Sequence, residues 1–302
     1  MSVKLATPFS GLDCVQYDVP LARHTWYRIG GPARYFAQPL DTDDLANVVH
    51  RATNSGIKAL VLGLGANLLV KDSGVDALVI SLSPGRLEDG QWNEVSLEGD
   101  LLHVGAAVDL QKLIIRMIRA GKAGIENLAG IPATIGGAIR MNAGGKFGDI
   151  GAVVESVRVM ESNGTVRDIH RDDLIFDYRK TNLVAPFILR ATLRLEAEDP
   201  DEIMKRCKEV WMYKRNTQPL NTRNCGCIFK NPRGLSAGAL IDQVGLKGAR
   251  IGNAQVSDKH ANFLIAHPGC TSDNILSLIK LVQEKVHASK GIELLTEVKV
   301  WG

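Results

Sequence analysis

Hydrophobic positions alternate between two periods along the first two-thirds of the chain. Leu45, Val48, Val49 and Ala52 recur at i, i+3, i+4 and i+7 after Thr42, and Gly56 closes the run, which predicts an amphipathic helix. A strand over 58–62 follows, then a glycine-rich turn and two strand-like runs at 67–70 and 77–81. A second helix is predicted from Asp109, with Leu110, Leu113, Ile114, Met117 and Ile118 on one face and a stop near Gly121. Two alternating runs between Val153 and Ile169 flank Asn163-Gly164, a dipeptide that tolerates the positive φ of a tight hairpin turn. Phe187, Leu189, Ala191, Leu193 and Leu195 give one more alternating strand.

From Glu198-Asp199-Pro200 onward the pattern changes. A helix with Ile203, Met204, Cys207, Val210 and Trp211 on one face leads into a strand (227–229), a helix (236–244), a strand (261–265), a long helix (273–289) and a final strand (294–300). The whole reads as α+β. The polar stretch 90–99 and the acidic turn at 198–200 mark boundaries between subdomains, and there is no internal repeat or low-complexity segment.

Composition narrows the function classes. A chain of 302 residues with 45% hydrophobic and 23% charged positions has the make-up of a globular protein of about two domains. Its net charge of +3 comes from scattered basic residues, so it lacks the footprint of a duplex-binding protein, and nucleic acid is not an expected partner. No apolar run is long enough to span a bilayer and the first residues lack a signal-peptide core, which predicts a cytoplasmic protein with no membrane insertion. Five cysteines at irregular spacing, with one C-x-C pair, indicate neither a disulfide framework nor a metal site.

Four segments carry candidate chemistry. VLGLGANLLVKDSG (61–74) runs a strand into a turn at Gly63 and Gly65, where converging backbone N–H groups can hold a phosphate; by itself it is equally a tight turn, and it lacks the third glycine and the helix of a Rossmann fingerprint. GIENLAGIPATIGGAIRMNAGG (124–145) is glycine-rich yet apolar, which fits backbone approaching a flat or phosphorylated ligand as well as close internal packing. FDYRKTN (176–182) places Tyr178 beside Arg179, whose planar fork suits a carboxylate or phosphate or a surface ion pair. NCGCIFKNP (224–232) sets Cys225 and Cys227 around a glycine near Lys230, for proton donation, nucleophilic chemistry or packing.

In this order, and joined by RIGGPA, LIDQVGLKG and a Glu-Val near the end, these segments resemble the UDP-N-acetylenolpyruvoylglucosamine reductase (MurB) family over nearly the whole chain, from 24 to 302. The chain lacks the tyrosine-bearing loop that one branch of the family carries after the YR motif, so it is similar to the shorter branch. The resemblance implies a two-subdomain FAD-binding fold of the vanillyl-alcohol-oxidase type and a C-terminal α+β substrate domain. The segments would be 1–88, 89–198 and 199–302, with the last strand returning to the first. It also implies non-covalent FAD on the two glycine loops, lined by Gly63, Gly65, Ala66 and Asn67 and by Pro132, Ala133, Thr134, Gly136, Gly137 and Asn142. Ala66 replaces a frequent serine of the family and Ala133 a frequent glycine.

The activity implied is a step of peptidoglycan precursor synthesis, reduction of UDP-N-acetylglucosamine enolpyruvate with NADPH as co-substrate, in two half-reactions through the flavin. By similarity Arg179 supports the substrate carboxylate, Glu297 helps to polarise it, and Cys227, standing where the family commonly has serine, supplies the proton. A thiol is the stronger acid of the two and is mostly protonated at neutral pH. Tyr178, Arg215, Gln218, Asn231, Lys247 and His260 match positions near the sugar or the diphosphate. Two other readings remain at this point: a related oxidase, disfavoured because 61–74 holds no histidine to tether a flavin, and a catalytically silent nucleotide-sugar binder.

Overall fold

The structure, a computed structural model, describes residues 8–82 and 90–302; the boundary expected at 88/89 lies outside the described residues. The chain forms two compact units that are not consecutive stretches. One comprises the described residues within 1–18, 35–63 and 77–211, the other 19–34, 64–76 and 212–302. The segments expected as separate subdomains, 1–88 and 89–198, thus fall largely in one unit. The reason is a single hydrophobic core that runs from Phe9 and Leu45 through Trp92 and Leu113 to Ile203 and Val210.

A sheet in the order Val15–Pro20, Pro32–Ala37, Val75–Ser81, Ala59–Leu62, most of whose residues belong to the first unit, takes in the expected strand at 58–62, and its last two strands are parallel. Helix α1 (Thr42–Asn54) is capped by Asp41, which accepts the Asp44 N–H, and buries Leu45, Val48, Val49 and Ala52. Helix α2 (Leu110–Arg119) is capped by Asp109. A five-stranded antiparallel sheet runs in the order Val166–His170, Val154–Met160, Phe187–Arg194, Leu101–Gly105, Val95–Glu98. Its outer hairpin turns at Asn163-Gly164, where Asn163 Oδ1 accepts the Thr165 N–H. Helix α3 (Ile135–Arg140) is short, and α4 (Pro200–Thr217) begins in this unit. Arg206 of α4 grips buried Glu126 through Nε and Nη2 at 3.0 and 2.8 Å and also pairs with Glu198.

The second unit has its own core around Tyr27, Leu69, Ile228, Phe229, Ile241, Val256 and Leu278. Helix α6 (Ser272–Lys290) lies against a three-stranded antiparallel sheet, Arg250–Ile251, Ala254–Val256, Leu264–Ala266, and helix α5 (Ala237–Gln243) packs on α6. A capping box of Thr271 and Asn274 starts α6, and Asp72 accepts both the N–H and the hydroxyl of Ser272. The strand Lys299–Trp301 pairs in parallel with Leu68–Val70. Residues 227–229, expected as a strand, make only isolated bridges, Cys227 to Phe263 and Phe229 to Thr296. Among the described residues no helix is long and apolar enough to cross a membrane.

Candidate functional site

A cleft in the first unit gathers several of the residues singled out above. Its walls include Val61, Gly63, Leu82, Thr134, Gly136 and Gly137. Thr134 caps α3, its Oγ1 accepting the Gly137 N–H at 3.2 Å. A Cβ on Gly63 would stand 3.0 Å from that hydroxyl, and one on Gly136 3.1 Å from the Ala106 Cβ, so small residues set the width of the cleft. The first-turn amides of α3 are committed: Ile135 N–H to Val108 O, Gly136 N–H to Ala106 O, Gly137 N–H to Thr134. Among the described residues, however, the N–H groups of 63–67 and of Ala133 and Thr134 meet no protein acceptor. A run of consecutive donors of this kind is an anion nest. Within the first unit, the open N–H groups of Gly63 and Thr134 and the apolar flank of Val61, Leu82 and Ile188 fit a cofactor that joins a flat ring to a diphosphate.

Other expected cofactor contacts are placed differently. Gly65, at φ +63°, is required by the chain itself, because a Cβ would run into the His24 carbonyl. Ala66 is half-buried in the same turn. Asn67 belongs to the second unit, where its carbonyl accepts the Lys299 N–H and its Nδ2 lies 3.5 Å from Glu297 O. Pro132 and Ala133 are half-buried but are not among the walls of the cleft. Asn142 is buried, and its amide is held by Asp177 O and the Gly151 N–H, which commits it to the fold rather than to a ligand. Tyr178 and Arg179 form the tip of a hairpin between Phe176–Asp177 and Lys180–Thr181. Arg179 donates to Gly144 O at 2.8 Å and its guanidinium lies 5.2 Å from the centre of the Tyr178 ring.

In the second unit, Cys227 is half-buried on a segment braced from both sides. Asn262, fully buried, accepts the Phe229 N–H and donates to Phe229 O, while its own carbonyl accepts the Ile228 N–H. On the opposite side Glu297 N–H donates to Ile228 O at 2.7 Å, which pairs its backbone with that of the residue following Cys227. Behind them lies Cys225, 2% exposed, its thiol pushed up to about 12 by burial and, to a lesser degree, by the charges of Cys227 and Glu297. The Tyr27 hydroxyl faces Cys225 without meeting hydrogen-bond geometry to any atom of the described residues, and burial raises its pKa well above the usual phenol value.

The remaining expected substrate residues are spread over this unit. Lys247 is exposed and paired with Asp242 at 2.6 Å. His260 accepts the Asn262 N–H through Nδ1 and packs edge-on to Phe263; burial, aided by Lys247, lowers its pKa. Asn231 accepts the Ala237 N–H at the start of α5. Arg215 is exposed, its carbonyl accepting from Lys259, and Gln218 is half-buried just beyond α4. Sequence reasoning passes over Tyr27, Asn224, Asn262, the buried Lys214, and Arg140, a wall of the first-unit cleft whose guanidinium donates to the carbonyls of Leu183, Ala185 and Pro186. The available signal is position: each lies within or beside a segment already marked, as in HTWYRIG, NCGC and HANF.

Comparison with known proteins agrees with this layout. Residues 33–170 match the family model described as FAD binding domain, and 218–301 match that of the UDP-N-acetylenolpyruvoylglucosamine reductase C-terminal domain. The chain is 40% identical over 94% of its length to the UDP-N-acetylenolpyruvoylglucosamine reductase of Heliobacterium modesticaldum, covering 89% of that protein. It is 38% identical to that of Moorella thermoacetica, covering 94% of this chain and 92% of that one. The crystal structure of UDP-N-acetylenolpyruvylglucosamine reductase from Thermus caldophilus superposes with a TM-score of 0.82 at 36% identity, covering 95% and 99% of the two chains.

Proposed function

Since this chain belongs to the UDP-N-acetylenolpyruvoylglucosamine reductase family, an FAD-containing group of oxidoreductases, we propose that it reduces the enolpyruvyl group of UDP-N-acetylglucosamine enolpyruvate with NADPH. Bound FAD supplies hydride transfer between the two substrates, which therefore occupy the protein in turn. Gly63, Thr134, Gly136 and Gly137 of the first-unit cleft hold the cofactor without a covalent link. Both substrates are soluble nucleotides, and we place the reaction in the cytoplasm.

Each proposed catalytic role follows from the charge that develops as hydride arrives. The substrate carboxylate takes up negative charge, and Arg179, its fork oriented by Gly144 O and the Tyr178 ring, supports it. Glu297 polarises the same group, which requires it to carry a proton or a cation partner, because two ionised carboxylates repel. Cys227 Sγ then gives its proton to the carbon beside the carboxylate. Arg215, Gln218, Asn231, Lys247 and His260 serve the sugar and the diphosphate. The observation that supports this reading is the backbone bond from Glu297 to Ile228, the residue after the half-buried Cys227. Anaerobic flavin absorbance tests it. Cys227→Ala should leave bleaching by NADPH nearly intact and block recovery of colour on adding the enolpyruvyl substrate; equal loss in both half-reactions refutes the assignment.

A further inference from the structure

We propose that Cys225 and Cys227 are an oxidation site, closing to a reversible disulfide when the protein meets a hydroperoxide. All five cysteines are thiols in this structure. An extended strand places residues i and i+2 on one face about 6.7 Å apart at Cα, the upper end of the span a disulfide bridges. Here the chain bends at Gly226, which has φ +80°, and the bend draws the flanking residues closer than a straight strand would. The two thiols are near enough for a charge on Cys227 to bear on Cys225. The turn is held from both ends, by Asn224 Oδ1 accepting the Gly226 N–H at 2.9 Å and by the bridge from Cys227 to Phe263. A Cβ placed on Gly226 would meet nothing within 4 Å, so one side of the turn is open to a small reagent.

Burial sets the order of events. Cys225 is 2% exposed and stays protonated, whereas Cys227 is half-buried and reacts first. The Cys227 sulfur attacks one peroxide oxygen, the O–O bond breaks, and the thiol proton leaves with the departing alcohol or water, giving a sulfenic acid. The Cys225 sulfur then attacks that sulfur and the S–O bond breaks. The hydroxide takes the Cys225 proton as water while the S–S bond forms. In sum two thiols and one hydroperoxide give a disulfide, an alcohol or water, and one further water. A dithiol reverses it. Cys225 thereby shields Cys227 from irreversible oxidation. The effect on turnover rests on the proposed function, because a bridged Cys227 has no proton to give, but the bond itself does not.

The test treats the FAD-loaded protein with hydrogen peroxide, alkylates remaining thiols in denaturant, and reads intact mass and a peptide map. The expected result is loss of two hydrogens and two of the five thiols, a link mapped to Cys225 and Cys227, and full recovery with dithiothreitol. In Cys225→Ala, Cys227 should gain oxygen atoms instead. If that variant does not fold, Cys227→Ala must show no loss of two hydrogens. Oxygen added to Cys227 of the unaltered protein with no link, a link from Cys225 to Cys270, or five untouched thiols each overturns the proposal. A link between Cys225 and Cys227 with reductase activity retained would instead overturn the proton-donor role of Cys227 and leave the oxidation site standing.

Discussion

Replacing Asn262 with alanine tests how the segment carrying Cys227 is held. The Asn262 side chain meets Phe229 as a neighbouring strand would, Oδ1 taking the N–H at 2.9 Å and Nδ2 giving to the carbonyl at 2.8 Å. Both residues are almost fully buried, and no other protein group among the described residues bonds either Phe229 group. Truncation therefore strands one donor and one acceptor. At roughly 1–3 kcal/mol for each buried group left unsatisfied, and with a water able to enter the vacated volume, the loss should be about 3 kcal/mol. That corresponds to a fall in melting temperature of roughly 5 °C for a chain of this size. Asn262→Asp is the sharper variant: it keeps the acceptor for the Phe229 N–H but sets a carboxylate oxygen against the Phe229 carbonyl, so it should be no more stable than alanine. Urea unfolding of the FAD-loaded protein, followed by circular dichroism, gives both values. A loss below about 1 kcal/mol for alanine, or an aspartate variant as stable as the parent, would refute the view that this amide acts as a surrogate strand.

Two further outcomes follow from the same geometry. Arg206→Ala should cost about 2 kcal/mol, less than for a fully buried pair because Arg206 is 41% exposed and water can reach Glu126, whereas Glu198→Ala should fall within the error of a denaturation curve; equal effects would contradict it. Folded Cys225, at about 12 against an ordinary 9.0, keeps its proton where the unfolded chain loses it, so stability should be level below pH 9 and fall as pH rises from about 9 towards 12. Denaturation midpoints against pH should show that alkaline slope reduced in Cys225→Ala. For His260 the sign is opposite: burial lowers its pKa below 6.5, so its share of stability is lost as pH falls below that value, and replacing it with glutamine should flatten the acid side.

Much of the local structure is legible in the sequence where period and cap agree. Helices α1 and α2 form where apolar spacing and an aspartate cap coincide, and the hairpin at Asn163-Gly164 forms where alternation flanks a permissive turn. Reading fails where a partner lies far away in the chain. Residues 227–229 look like a strand, yet only bridges form, because Asn262 takes the place of a neighbour through its side chain. The strand read at 261–265 begins only at Leu264, since Asn262 and Phe263 are engaged in those same contacts. Two-residue strands such as Phe176–Asp177 and Lys180–Thr181 are too short to show a period. At the site, the glycine turn is visible, but nothing local reveals that Gly65 answers to the His24 carbonyl while the amides around it stay open. Cys227 and Glu297 can each be picked out from their motifs. Their adjacency is a matter of backbone pairing between segments about 70 residues apart, which no window along the chain contains.

The parallel pairing of Leu68–Val70 with Lys299–Trp301 has a consequence in time as well as in space. A ribosome makes the second strand about 230 residues after the first, an interval of roughly 10–50 s at ordinary elongation rates. Through that interval the first unit can assemble as its residues emerge, while Leu68, Leu69 and Val70, all buried in the finished protein, wait without their edge partner. The burial of this apolar strand in the second unit is therefore completed only when the last residues of the chain have been made.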